Sequence, residues 1–372
     1  MNASVFEPAF PLDGVTTFTE AEPAVAISAA VIAAVSFVAL VAMGVLMVRG
    51  TGSTVAQTPT REFLPLQLEE QIPVPGVAGR LDHFTADAKR RRLFVSALGN
   101  NTLEVIDVFA GRVVHSIKGL AQPQGPLYVP GVDKLYVANA EDGKVRVYDG
   151  ATYTRRKTID FGTDPDNMRY DEASKTVFVG FGQEDGGIGM IDPKTDERVG
   201  QVYKTEGHPE SFQVEASGAH IFVNVPDAGN VVESIERKSG AVTKWSLRGL
   251  RANYAMALNE EDHRLFTITR KTPMMVVLNT ETGNEVARLR AAGECDDVFL
   301  DPSRKRIYVI GAEGFISVFQ QNDPDHYELI SNVPSGIGIR TGYYFTRRDR
   351  FYVGVPAKGS EPAQVWTYEA ED

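Results

Sequence analysis

Apolar and polar positions along most of this chain alternate in short runs, and one signal returns seven times. An apolar triplet carrying an aromatic residue follows a basic or polar turn: Leu93-Phe94-Val95, Leu135-Tyr136-Val137, Val177-Phe178-Val179, Ile221-Phe222-Val223, Leu265-Phe266, Ile307-Tyr308-Val309 and Phe351-Tyr352-Val353. The aromatic positions, 94, 136, 178, 222, 266, 308 and 352, stand 42 or 44 residues apart. Short β-branched runs at this period, separated by Gly, Asp and Pro, are what one blade of a β-propeller requires. The pattern therefore predicts an all-β, seven-bladed propeller over residues 63–372.

Each repeat divides into four strands. In the second, Pro126–Val129, Lys134–Ala138, Lys144–Tyr148 and Arg155–Ile159 read as strands, with turns at Gly131-Val132-Asp133 and Asp142-Gly143. An acid or amide often follows the third strand (Asp107, Asp149, Asp192, Glu236, Asn279), which suits a side chain that caps a tight turn through its own backbone. The seventh repeat stops after its third strand at the chain end, whereas Leu64–Ile72 has no blade of its own. It is predicted to supply the missing outer strand, closing the ring and removing two exposed sheet edges.

The run Leu135-Tyr-Val-Ala-Asn139, with its Leu-Phe-Val and Ile-Tyr-Val variants, resembles the YVTN repeat (YncE-like) family of bacterial seven-bladed propellers. The resemblance extends over nearly all of residues 73–370. It implies the fold and a bacterial, mostly exported setting. It implies no catalytic residue, because the matched positions are structural.

The first 63 residues are of a different kind. An acidic tail, 1–23, precedes Ala24–Val48, a run of 25 residues without a charge. As a helix this run would extend roughly 37 Å, against a hydrocarbon core of about 30 Å. The tail has Glu7, Asp13, Glu20 and Glu22 but no Lys or Arg, unlike the basic start of a cleaved signal peptide, so a retained single-pass anchor is expected. Ala26, Ala30 and Ala34, with Ala29 and Ala33, form small-residue ridges that would let another membrane helix approach closely. A polar linker, 49–62, leads to the propeller. Arg49 and Arg61 vote for a cytoplasmic propeller, and the likeness to exported propellers for a periplasmic one. The expectation is a bacterial inner-membrane protein with an extracytoplasmic propeller.

Composition narrows the partners. Of the 38 basic and 49 acidic groups, residues 1–63 hold two and five, which leaves 36 against 44, a net charge of −8, on the propeller and −11 on the whole chain. Sequence-independent nucleic-acid binding is disfavoured. A single cysteine, Cys295, excludes an internal disulfide and any CxxC or CxxCH motif, and reads as a small core residue. There is no GxSxG, HExxH or GxGxxG, and the glycines from Gly180 to Gly187 fall within a hairpin.

One constellation emerges when the repeats are aligned. Twelve residues before each aromatic marker stand Asp82, Gln124, Asp166, Glu210, Tyr254, Asp296 and Arg340, at the start of each inner strand. His83, Asn167 and Asp297 follow by one residue, and Arg80, Asp164, His208 and Glu294 precede by two. The channel mouth is thus expected to be a polar ring, wet and partly balanced by Arg80 and Arg340. No catalytic residue, metal or cofactor is assigned to it. The alternative is a calcium-dependent, lactonase-like hydrolase, with His83 or His208 moving the proton.

The opposite face should carry the basic turns of three contiguous blades: Lys89, Arg90, Arg91 and Arg92; Arg304, Lys305 and Arg306; Arg347, Arg348 and Arg350. The strand after the linker would begin on that face, so the patch is expected to look toward anionic lipid or a partner. These features together predict a non-catalytic, membrane-anchored scaffold or protein-binding subunit of an integral membrane complex, respiratory or photosynthetic in kind.

Overall fold

A computed structural model describes residues 64–372. The acidic tail 1–23, the apolar span 24–48 with its alanine ridges, and the linker 49–62 lie outside the described residues. Among the described residues, no helix is long and apolar enough to cross a membrane.

Seven four-stranded antiparallel sheets follow one another, each as a blade. Blades 1 to 6 span residues 84–118, 123–160, 168–204, 211–246, 251–290 and 298–334, with strands in sequence order from inner to outer. Blade 7 combines Gly342–Phe345, Arg350–Val355 and Ala363–Ala370 with an outer strand, Leu66–Val74, from the other end of the chain. Leu66 lies opposite Ala370 and Val74 opposite Ala363. The strand lies two residues later than the segment 64–72 singled out by the sequence. Its first residues share a face with the turns between inner and second strands: Glu371 N donates to Pro65 O and Ala370 N to Asp349 O.

The recurrent triplet has a single structural cause. It forms the second strand of each blade, which is covered on both sides, so alternate side chains enter different cores. Phe94 packs with Leu135 and Val137 of blade 2, while Leu93 and Val95 pack with Ile72, Val365 and Tyr352 of blade 7. Tyr136 faces blade 3, Phe178 blade 4, Phe222 blade 5, Phe266 blade 6, Tyr308 blade 7 and Tyr352 blade 1. Every triplet aromatic thus points to the following blade and its neighbours to the preceding one. All seven are at most 4% exposed. Each such side chain contributes on the order of 1.5–3 kcal/mol by leaving water. Seven buried clusters result, one per blade interface.

Turn chemistry is as local as the sequence suggests. Asp107 Oδ1 accepts from the backbone N–H groups of Phe109 and Ala110 at 3.0 and 2.9 Å, and Asp149 and Asn279 repeat the arrangement. Asp87 and Asp301 cap the turns after the inner strands of blades 1 and 6 in the same way.

Candidate functional site

The connections that lead into the inner strands converge on one face, around a cavity of about 730 Å³. Asp82, His83, Gln124, Asp166, His208, Glu210 and Asp296 line it, together with Tyr254. The other predicted ring members act as partners to this lining. Asn167 Nδ2 donates to Glu210 O at 2.8 Å, Arg340 Nε lies 3.6 Å from Asp296 Oδ2, and Asp297 holds His83. Gln124 and Tyr254 sit inside longer inner strands that bulge at this level, whereas the remaining ring residues lie just before theirs.

Charge divides the mouth in two. On the side of blades 5 to 7, Asp296 is ion-paired with Arg270, whose guanidinium lies 3.5 Å from the centroid of the Tyr254 ring and whose Nε donates to Cys295 O at 3.2 Å. Burial lowers the Arg270 pKa, though Tyr254 and Glu294 oppose that shift. Arg80 meets Asp82 at 3.3 Å, and burial lifts the Asp82 carboxyl above the usual range. Two of the four ring carboxylates are therefore matched by arginines rather than converging on the axis. Cys295 is fully buried, and burial pushes its thiol up, which makes it a core residue and a poor nucleophile.

On the side of blades 3 and 4 the acids outnumber the bases. His208 donates from Nδ1 to the carbonyl of Gly182 at 2.6 Å and turns Nε2 toward Asp166 Oδ2, 3.7 Å away. Its Nδ1 is also 3.7 Å from Asp164. Burial opposes a charge on His208, but the hydrogen bond and charge of Asp166 prevail and raise its pKa to about 9. Glu210 is raised to about 7, first by burial and then by the Asp166 charge. Gly182 owes its place to a φ of +92°, which few other residues adopt.

Several lining residues carried no flag in the sequence: Arg270, Gln183, Glu184, Glu206 and Asp227. A signal for Arg270 does exist. Four residues beyond the aromatic markers stand Leu98, Ala140, Gly182, Pro226, Arg270, Ala312 and Pro356, so Arg270 is the one charge at that repeat position.

The ten basic residues of the opposite face fall into two groups. Arg90 bridges Asp87 at 2.7 Å and Asp133 at 2.6 Å; Arg92 pairs with Asp107; Arg304 joins Asp301 and Asp349; Arg350 joins Glu69 and Glu369; and Arg306 donates to Glu371 O. These five are struts between turns and strands, four of them held by acidic side chains and Arg306 by a backbone carbonyl. Lys89, Arg91, Lys305, Arg347 and Arg348 are exposed. Among them, Arg91 lies 5.0 Å from the ring of Phe109, which is 79% exposed, and Arg348 lies 5.5 Å from that of Phe345.

Closed sheet order and a polar mouth define a seven-bladed β-propeller. No protein-family model and no curated protein sequence matches the chain. Among solved structures it is similar to a chain of the "Crystal Structure of Mitotic Checkpoint Complex", at 14% identity and a TM-score of 0.69, covering 89% of this chain and all of that one. It is similar also to a chain of Kuenenia stuttgartiensis hydrazine synthase, at 18% identity and a TM-score of 0.67, covering 84% of this chain and 98% of that one. Likeness at this identity establishes the architecture and leaves function to the particular side chains.

Proposed function

We propose that this chain is a single-pass, membrane-tethered, YVTN-like bacterial propeller that serves as a non-catalytic binding or scaffold subunit of an integral membrane complex. One observation carries the reading. The described chain begins on the face that also bears Phe109 and the five exposed cations, Lys89, Arg91, Lys305, Arg347 and Arg348. An exposed aromatic side chain beside Arg91, on a face with four further exposed cations, suits contact with anionic lipid headgroups or a membrane-embedded partner, each cation near the surface contributing about 1 kcal/mol. The uncharged run 24–48 would supply the tether, its alanine ridges the helix contact, and the periplasmic side the location.

Extraction of the full chain in mild detergent, followed by identification of what co-purifies, tests the reading. A membrane complex that retains the wild type and loses the Arg91→Ser/Arg347→Ser/Arg348→Ser variant is expected. Recovery of the chain alone in the aqueous fraction would overturn it.

A further inference from the structure

The acid-rich half of the mouth contains a cluster that the scaffold reading does not use. One carboxylate oxygen of Asp166, one of Glu210 and a ring nitrogen of His208 lie within 4.8 Å of one another. Three features separate this cluster from an ordinary acidic surface. Asp166 is only 7% exposed, and its Oδ1 is buried with no hydrogen-bond partner among the described residues. A buried carboxylate oxygen costs free energy unless something compensates it. His208 spends Nδ1–H on the Gly182 carbonyl and turns Nε2 toward Asp166, so that a cation bound between them would take the place of the Nε2 proton. A histidine whose outer nitrogen is held by a backbone carbonyl while the inner one faces carboxylates has the orientation of a metal ligand. The backbones are also fixed: Asp166 N donates to Gly180 O, Glu210 N to Asn224 O, and Asn167 Nδ2 to Glu210 O.

We infer that Asp166, His208 and Glu210 form a binding site for a divalent transition-series cation, zinc or manganese, set off the propeller axis between blades 3 and 4. Two donors each about 2.1 Å from one tetrahedral ion stand about 3.4 Å apart, and the 3.7 Å between His208 Nε2 and Asp166 Oδ2 is within a few tenths of an ångström of that spacing. The Glu210 oxygen, within 4.8 Å of the other two donors, needs a side-chain movement of up to about 1.5 Å to join them. One imidazole with two carboxylates is a mixed nitrogen and oxygen set, which favours zinc or manganese over calcium, a cation that takes six to eight oxygens. Three protein ligands leave a coordination position open to the cavity, where water or a small solute would complete it. The site is independent of the basic face, so the two readings stand or fall separately.

Full chain in detergent, stripped with chelator and dialysed, is titrated calorimetrically with zinc, manganese and calcium chlorides, and its metal content is measured after dialysis. Expected are retention of one zinc or manganese per chain and a rise in thermal midpoint. His208→Gln and Asp166→Asn should each weaken binding by at least about 10- to 100-fold, the loss typical even for partners outside the ligand set. Glu210→Gln should weaken it likewise, which covers the case in which one of the other variants fails to fold. Circular dichroism establishes which variants are folded. Absence of binding in the wild type, equal affinity in folded His208→Gln, or calcium binding more tightly than both zinc and manganese would each overturn the assignment.

Discussion

His83 and Asp297 meet across the mouth from blades 1 and 6, His83 Nδ1 standing 3.1 and 3.2 Å from the two carboxylate oxygens. Asp297 is held in turn by the backbone N–H of Gly342 in blade 7, at 3.0 Å. The pair thereby ties three blades together at the mouth.

Burial opposes the charge on His83, but the Asp297 charge and hydrogen bond overcome it and raise the pKa from 6.5 to about 10. A base whose folded pKa is raised stabilises fully below its unfolded value and loses that contribution as pH climbs through the folded one. Stability should therefore fall between about pH 6.5 and pH 10, by roughly 2–4 kcal/mol. In His83→Gln that slope should flatten and the stability at pH 6 should drop. Thermal unfolding across the pH series reads both, and an unchanged slope in the variant would remove the pair from the account.

Arg90 and Arg347 look alike in sequence and should behave differently. Arg90→Met strands Asp87, whose side chain is 1% exposed, and breaks the bridge to Asp133 in blade 2. The cost should be about 1–3 kcal/mol. Arg347→Ser, on an exposed turn, should change stability by less than about 0.5 kcal/mol. Denaturant midpoints of the two variants decide the matter; equal losses would contradict the division into struts and surface charges.

Two phenylalanines make a second contrast. Phe178 is fully buried between blades 3 and 4, so Phe178→Ala should cost about 3–5 kcal/mol. Phe109→Ser should leave the midpoint in place while weakening flotation of the chain with anionic vesicles. Flotation as strong as that of the wild type would remove Phe109 from the proposed contact.

Closure of the ring depends on Ile72 and Val74, both fully buried against blade 1 residues Leu93 and Val95. Ile72→Ala should cost about 2–5 kcal/mol, and Ile72→Asp should expose the edge of the third strand, Ala363–Ala370, to pairing between molecules. Light scattering on heating distinguishes the two. A monomeric, undestabilised Ile72→Asp variant would show that the strand is dispensable.

The architecture was legible because a strand buried on both faces leaves no polar position in Leu93-Phe94-Val95 or its six counterparts, and repetition turned a short signal into a period. The mouth was legible in part. Aligned repeats expose Asp166, Glu210 and His208, since the inner-strand starts are equivalent positions around one axis. Arg270, which reaches the mouth from a second strand, shows only as the one charge at a different repeat position, and the role of Gly182, which acts through a carbonyl that every residue has, does not show at all. The basic turns were legible as charge but not as pairing: Arg90 and Arg304 each join an aspartate three residues away to another 43 or 45 residues away, which only the fold brings near.

The order of synthesis sets a delay on this molecule. Residues 66–74 leave the ribosome almost 300 residues before their partners, 363–370. At about 5–20 residues per second, the first strand waits roughly 15 to 60 seconds for its place. Until then six blades can assemble in turn while the nascent chain keeps an unpaired ribbon at one end and an unfinished sheet at the other. A chaperone that shields that ribbon would have most to contribute during this interval.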